Sequence, residues 1–454
     1  MKTRSGEIDM TNGPLAGKIL LFALPLIASG MLQLLFNAAD VIVVGQFAGS
    51  NALAAVSSNG SLINLIVNLF IGLSVGAGVA VSYYVGAKDD DGTSEAVHTS
   101  VALSIVSGAV VMIIGLCVSK FALIAMDVPE KIFSDALLYL RIYFLGMPAL
   151  MVYNFGAAIL RAVGDTKHPL YYLTIAGVVN VLLNLFFVVV LRIDVAGVAI
   201  ATVISQYCSA ALIVIHLLRD KGQCRLYIKK IRISRAKLMR IVRIGFPAGL
   251  QSTVFSLSNV IIQSSVNSFG ETAVAGNAAA GNIEGFIYIA MNAFYHASQT
   301  FTSQNVGAKK PERLNRIFAL CMVFVLIVGV LVGGLVYMFA GKLLLIYLPD
   351  DAAAVDYAIE RISVIVVFYF LCGFMEIFAG MMRGMGSSFT PMIVSLIGSC
   401  LLRIVWVYTV FAVSRSLTTL FISYPVSWAL TSAVHFIFYT IRKKRLTRSL
   451  KGQF

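Results

Sequence analysis

Charge is what this sequence has least of. Asp, Glu, Lys and Arg make up only 12% of its 454 residues, against about 25% in an ordinary soluble domain. Hydrophobic side chains make up 59%, and the mean hydropathy is +0.88. Such a chain cannot cover itself with polar groups, which excludes a water-soluble fold and leaves the bilayer as its solvent. Cysteine is sparse too. Cys117, Cys208, Cys224, Cys321, Cys372 and Cys400 are scattered, with no CxxC pair. Most fall in apolar runs, where Cys behaves as a small hydrophobe. The pattern reads as no disulfide framework and no zinc site. The five histidines are dispersed as well, with no HExxH pattern. Without a convergent His/Asp/Ser or metal-ligand set there is no basis for an enzyme, a catalytic residue or a cofactor. No cleavable signal is visible either: Met1–Pro14 is polar, and the apolar run that follows is too long. It reads as a first transmembrane helix that stays in place.

The net charge of +14 does not call for nucleic acid, because basic residues of membrane proteins collect in cytoplasmic loops. Twelve apolar runs occur, at approximately 18–44, 60–84, 97–119, 134–160, 170–191, 195–218, 241–267, 275–303, 316–347, 357–381, 391–412 and 417–440. Most are long enough for a hydrocarbon core of about 30 Å. The link Arg219–Arg243 holds ten Lys/Arg and one acid, Asp220, and the tail Arg442–Phe454 holds six Lys/Arg and no acid. Lys88, Arg161, Lys167, Lys309, Lys310, Arg313 and Arg383 follow even-numbered runs. Asp127, Glu130, Asp135, Asp194, Glu271, Asp350, Asp351 and Asp356 lie on the other side. The positive-inside rule then places both termini in the cytoplasm of a multi-pass inner-membrane protein.

The chain also repeats itself. Pro25 and Pro247 are 222 apart (247 − 25), Val85-Gly86-Ala87-Lys88 returns as Val306-Gly307-Ala308-Lys309, and Leu160-Arg161-Ala162-Val163-Gly164 with Pro169 returns as Met382-Arg383-Gly384-Met385-Gly386 with Pro391. Biased composition explains one such match, not three in order at one offset. Six spans per unit send both halves into the membrane in the same direction, as parallel repeats. The expected fold is an all-α membrane protein with twelve transmembrane helices in two pseudo-symmetric six-helix lobes around a central cavity. Its parts are residues 1–218 and 244–441 as lobes, 219–243 as a basic cytoplasmic linker and 442–454 as a basic tail. Two bundles able to rock against each other imply transport.

The sequence resembles the multidrug and toxic compound extrusion (MATE) transporters over essentially its whole length. The likeness rests on Pro25, the run Ala39-Asp40-Val41-Ile42-Val43-Val44-Gly45, the run Ala52-Leu53-Ala54-Ala55-Val56 and the doubled signatures above. It implies efflux of small amphipathic, organic, cationic compounds in exchange for H⁺ or Na⁺. In the DinF-like branch the resemblance implies a first-lobe cation site made by an Asp on helix 1, an Asn and a second Asp on helix 5 and a Thr on helix 6. Asp40, Asn180 and Thr202 match. Asn184 stands where the second Asp is expected, which removes a charge and favours a proton over sodium, with Na⁺ at Asp40 the remaining metal possibility. The coupling acid that another branch carries on helix 7 is missing from Gln251–Ser258.

Residue chemistry points to the same places. An ionised carboxylate at mid-membrane costs on the order of 2.5–3.5 kcal/mol, so intramembrane acids carry a functional presumption. Asp40 is the clearest, and Asn180 and Asn184 share one helix face with each other. Glu284 and Glu376 are further candidates for cation coupling. Glu376 replaces Asn154 of the first half (376 − 222) and stands two turns before Arg383, so a polar network is its alternative. Arg161 and Arg383 read as helix-end residues that snorkel to lipid phosphates or cap the last turn. Amides stud spans 1, 2, 7 and 8: Gln33, Asn37, Asn64, Asn68, Gln251, Gln263, Asn282, Asn292 and Gln299. With Phe36, Met291 and Tyr295 these are candidates to line a substrate cavity, by apolar and cation–π contact. A flippase for a lipid-linked oligosaccharide or peptidoglycan precursor is the competing function. Its pyrophosphate would want several arginines or lysines in the cavity, whereas here bases concentrate in loops and tails while the spans carry acids and amides. The expected partners are small substrates and membrane lipids, with no nucleic acid, and the expected state is a monomer.

Overall fold

A computed structural model describes residues 8–349 and 351–452. Asp350, counted above among the acids opposite the basic loops, lies outside them. Among the described residues there is no strand, and the chain runs through twelve long helices. The first half comprises α1 (Ala16–Ala48), α2 (Asn51–Ala87), α3 (Asp90–Ala125), α4 (Glu130–Leu145 with Met147–Ala162), α5 (Lys167–Val190) and α6 (Asp194–Arg219). The second comprises α7 (Arg235–Asn267), α8 (Glu271–Gly307), α9 (Pro311–Met338), α10 (Ala352–Gly384), α11 (Phe389–Val413) and α12 (Leu417–Lys451).

Among the described residues, nine helices are long and apolar enough to cross a membrane, or ten when the two pieces of α4 count as one span bent by 46°. The bend follows Gly146, where Pro148 has no N–H to continue the ladder. Helices α7 and α8 have 33 and 37 residues, ample length at about 1.5 Å per residue. They miss on hydropathy because they carry Gln251, Gln263, Asn277, Asn282, Asn292 and Gln299. A membrane helix that polar must turn its amides away from lipid.

The helices cluster into two compact units. Unit 1 consists of Met1–Asp9 and Ala28–Thr253, and unit 2 of Met10–Ile27 and Val254–Phe454. The divisions fall inside α1, just past Pro25, and inside α7, past Pro247, and not in the basic linker. The reason on the α7 side is close packing. A Cβ on Gly72 or Gly76 of α2 would run into the backbone of Gly249 or Gly245 of α7, so four glycines let those two helices touch within unit 1. In unit 2, Phe22 of α1 meets Phe301 of α8 edge to face, 5.7 Å between centroids. Asn305 donates to the carbonyl of Met10, and Lys310 to that of Thr11.

The doubled sequence signatures are doubled helix stops. Lys88 and Lys309 both adopt φ 56°. Asp89 N–H returns to Tyr84 O, and Lys310 N–H to Asn305 O. Gly164 and Gly386 have φ 90° and 77°, and Asp165 N–H and Ser387 N–H return to Leu160 O and Met382 O. Each is a left-handed residue after the last turn with a six-to-one bond, the motif that satisfies otherwise orphaned carbonyls. The two glycines differ in their surroundings. A Cβ on Gly386 meets nothing, while one on Gly164 comes within 2.7 Å of the Ile8 backbone. We expect Gly386→Ala to cost about 1–2 kcal/mol of left-handed strain and Gly164→Ala clearly more. Thermal midpoints of the purified variants check the order.

Candidate functional site

In unit 1, α1 and α5 approach where α5 has no side chain: a Cβ on Gly177 would fall inside the Phe36 ring. That approach delivers Asp40, one turn beyond Phe36, to Asn184. Asp40 Oδ1 accepts a hydrogen bond from Asn184 Nδ2 at 2.5 Å, and the same Nδ2 lies 3.4 Å from Asn180 Oδ1. Asn184 and Asn180 are buried and Asp40 is half-buried. Asn184 Oδ1 is buried without a hydrogen-bond donor, which leaves an acceptor beside the carboxylate for an incoming proton or cation. Both helices then widen into π-turns, Val44–Ala48 and Leu185–Val190, a form frequent at functional sites. Of the expected quartet, hydrogen bonds link Asp40, Asn180 and Asn184, and the Thr202 hydroxyl donates to Val198 O of its own helix, 3.0 Å away. Gly177→Leu should push Phe36 outward and break the Asp40–Asn184 contact. Loss of function in a folded variant, with Gly177→Ala intermediate, checks this.

In unit 2 the chemistry is different. Glu284 of α8 is held by both arms of Arg361 from α10, Nε to Oε1 at 2.8 Å and Nη2 to Oε2 at 2.7 Å. Arg361 Nη1 also donates to Asn277 Oδ1 at 2.6 Å, and Asn277 donates onward to Gln263. Glu284 is 5% and Arg361 9% exposed, so this is a buried, geometrically matched pair. It forms part of the wall of a cavity of about 430 Å³ that Asn282, Gln263, Tyr369, Tyr424 and Trp428 also line. Arg403 of α11 is buried too. It donates to Ser427 at 2.8 Å and sits 4.1 Å from the Tyr424 ring centroid.

These arginines correct two expectations. The spans carry not only acids and amides, since Arg361 and Arg403 lie buried inside them, each with an acid, hydroxyl or aromatic partner that makes burial tolerable. Arg383 does not snorkel: it is buried at the end of α10 and donates to the Tyr295 hydroxyl at 2.5 Å. Glu376, half-buried on α10, stands within electrostatic reach of Arg383, the polar-network arrangement. Tyr295 is therefore engaged, and Met291 is buried against α9 and α10, where Cβ atoms on Gly329 and Gly373 would meet it. Among the other cavity candidates Gln33, Asn37 and Asn64 are exposed, Asn68 is half-buried and Gln251 is buried, all in unit 1.

The expectation of dispersed histidines is also corrected. The chain brings His168, at the start of α5, and His216, near the end of α6, together with Asp165. The only signal in the sequence is the Asp-x-x-His spacing of Asp165 and His168, which reads equally as a helix cap.

The MatE family model matches the chain twice, over residues 25–186 and 247–409, at the same 222-residue offset as the repeat. A Bacillus subtilis protein named probable multidrug resistance protein YoeA is 25% identical over 95% of each chain. The FAD transporter of Shewanella oneidensis is 25% identical over 72% of each. Among solved structures, an outward-facing multidrug resistance MATE family transporter of the MOP superfamily superposes with a TM-score of 0.91 at 22% identity, covering 99% of this chain and all of the other. A MOP superfamily transporter from Pyrococcus furiosus, described by the reversed polarity of its binding pocket, gives 0.91 at 23% identity over 98% and 99%.

Proposed function

The chain belongs to the MatE family, and from that membership we propose a cation-coupled antiporter that exports small amphipathic organic compounds by alternating access. Relatives named as multidrug resistance proteins support the cargo class. The observation that carries the coupling is Asp40, an intramembrane carboxylate half open to its surroundings and read by a buried amide, Asn184. Ionised, Asp40 accepts from the Asn184 NH₂. Protonated, it becomes a donor, and the free Asn184 Oδ1 is the acceptor that a turned amide would present. A single carboxylate among neutral amides, with Asn184 and not a second acid beside Asp40, favours H⁺ over Na⁺, which is held better by more negative charge. The positive-inside reading puts both termini, the basic linker and the tail in the cytoplasm.

The test is a fluorescent organic cation in liposomes of purified protein, under a proton or a sodium gradient imposed separately. Movement driven by the proton gradient alone supports the reading. Movement under neither gradient, with folded protein, overturns it. The second reading is a flippase for a lipid-linked, pyrophosphate-bearing precursor. It is favoured by one observation, the buried cationic groups Arg361, Arg383 and Arg403 of unit 2. A relative that carries FAD, itself an anionic dinucleotide, leans the same way. Failure to move organic cations together with protein-dependent translocation of such a lipid would decide for it.

A further inference from the structure

We propose that Asp165, His168 and His216 form a binding site for one borderline divalent transition-metal ion of the Zn²⁺, Ni²⁺ or Co²⁺ class, at the helix ends that face the basic side of the chain. The three come from two places in unit 1: the turn that caps α5, and the last turns of α6. Each offers one ligand atom, and these atoms lie within 4.8 Å of one another. Two imidazoles and a carboxylate are the three-ligand set that leaves a fourth, water-filled position on a tetrahedral ion. Imidazole with carboxylate suits this class of ion better than a hard, all-oxygen one.

The surroundings are arranged as a metal shell requires. Asp165 is 5% exposed. Its Oδ1 accepts from the backbone N–H of Lys167 and of His168 at 3.2 and 3.1 Å, which fixes the carboxylate and leaves Oδ2 for chemistry. Oδ2 sits 2.5 Å from His168 Nδ1, a hydrogen-bond separation. Two ligands on a tetrahedral zinc stand about 3.3 Å apart, given bonds of roughly 2.0–2.1 Å. Metal entry therefore replaces the shared proton, releases it, and opens this pair by less than about 1 Å, while His216, whose ligand atom lies within 4.8 Å of the other two, closes on the ion. His216 is oriented from behind, its Nδ1 2.7 Å from the Tyr172 hydroxyl. This is the outer partner that ligating histidines usually have. The two imidazole centroids are 4.5 Å apart. The His168 side chain keeps 35% exposure, an entrance for the ion from water.

The repeat argues that this set is not scaffold. At the 222-residue offset the second half has Ser387, Thr390 and Phe438 where the first has Asp165, His168 and His216. The helix stop is kept in both halves, Gly164 and Gly386 alike, and only the ligands are added. An ion bound here ties the start of α5 to the end of α6.

The experiment uses full-length protein in detergent with any polyhistidine tag removed, titrated with Co²⁺ near neutral pH. A visible d–d absorption that saturates at one ion per chain, and is displaced by Zn²⁺, is the expected result, with a raised thermal midpoint. His168→Ala and His216→Ala should each weaken binding by more than the roughly tenfold that losing even an outer partner costs. Asp165→Asn, which keeps the helix cap, weakens it while leaving the apo midpoint near wild type. His296→Ala leaves it unchanged. A folded wild type with no Co²⁺ band, or a band that survives His216→Ala, overturns the site. Transport is not read, so neither result depends on the antiport proposal.

Discussion

Asp40→Asn is expected to reduce gradient-driven transport to the level of protein-free liposomes while the protein stays folded. The substitution keeps shape, and it keeps an acceptor oxygen for Asn184 at the position where Oδ1 now accepts. What it removes is the one exchangeable charge in unit 1's amide cluster. An antiporter works only if the coupling ion and the cargo cannot both be left behind, so a site that can no longer load or release the ion stops uphill export. Binding of cargo should survive, because no apolar surface changes. The measurement is therefore two-sided: cargo affinity by fluorescence, and uphill movement under an imposed gradient. Loss of movement with retained affinity and an unchanged thermal midpoint identifies coupling. Retained movement would take Asp40 out of the mechanism and turn attention to the acids of unit 2.

That Asp40, Asn180 and Asn184 stood out before the fold has a physical reason, although their meeting across 144 residues was implied only by the resemblance. An acid in an apolar run is conspicuous by its cost, and Asn180 and Asn184 lie four apart on a single helix, so periodicity alone stacks them. The helix stops were legible as words, Val-Gly-Ala-Lys and Arg-x-x-Gly, because a left-handed cap is a local device whose bonds close within one turn. Span limits were legible wherever an apolar run supplied its own contrast. Other features depend on the meeting of distant segments. Glu284 and Arg361 are 77 residues apart and on different helices, so nothing local tells that the carboxylate is already neutralised. Thr202 carries the right oxygen, yet its hydroxyl turns to Val198 O, a choice of rotamer that no spacing records. His168 and His216 are legible only as two isolated imidazoles until α5 and α6 pack. The division of the units inside α1 and α7 is hidden for a similar reason: it follows from close packing at Gly245 and Gly249, and those glycines look like any others in an apolar run.

The largest loss of stability should come from Arg361→Ala, at about 3–5 kcal/mol, the usual result of breaking a buried ion pair from one side. Removing the guanidinium strands two polar groups and leaves two rings without this cation. The Glu284 carboxylate loses both of its bidentate bonds, Asn277 Oδ1 loses its donor, and the cation leaves the neighbourhood of Phe421 and Tyr424. Glu284 is 5% exposed, so its charge is left without the bidentate partner that offset its burial. Glu284→Gln should also destabilise, because Arg361 is then the uncompensated charge. The double substitution Glu284→Gln with Arg361→Met removes both charges and should recover most of the stability either single change forfeits, since replacing a buried pair by matched neutral groups is often close to neutral. Thermal midpoints of the wild type, Glu284→Gln, Arg361→Met and the double variant form the cycle. The same four separate a structural Glu284 from a coupling one. If the pair is structural, transport follows stability and returns in the double variant. If Glu284 exchanges the coupling ion, the double variant is stable and inactive, because its neutral amide has no proton to give up.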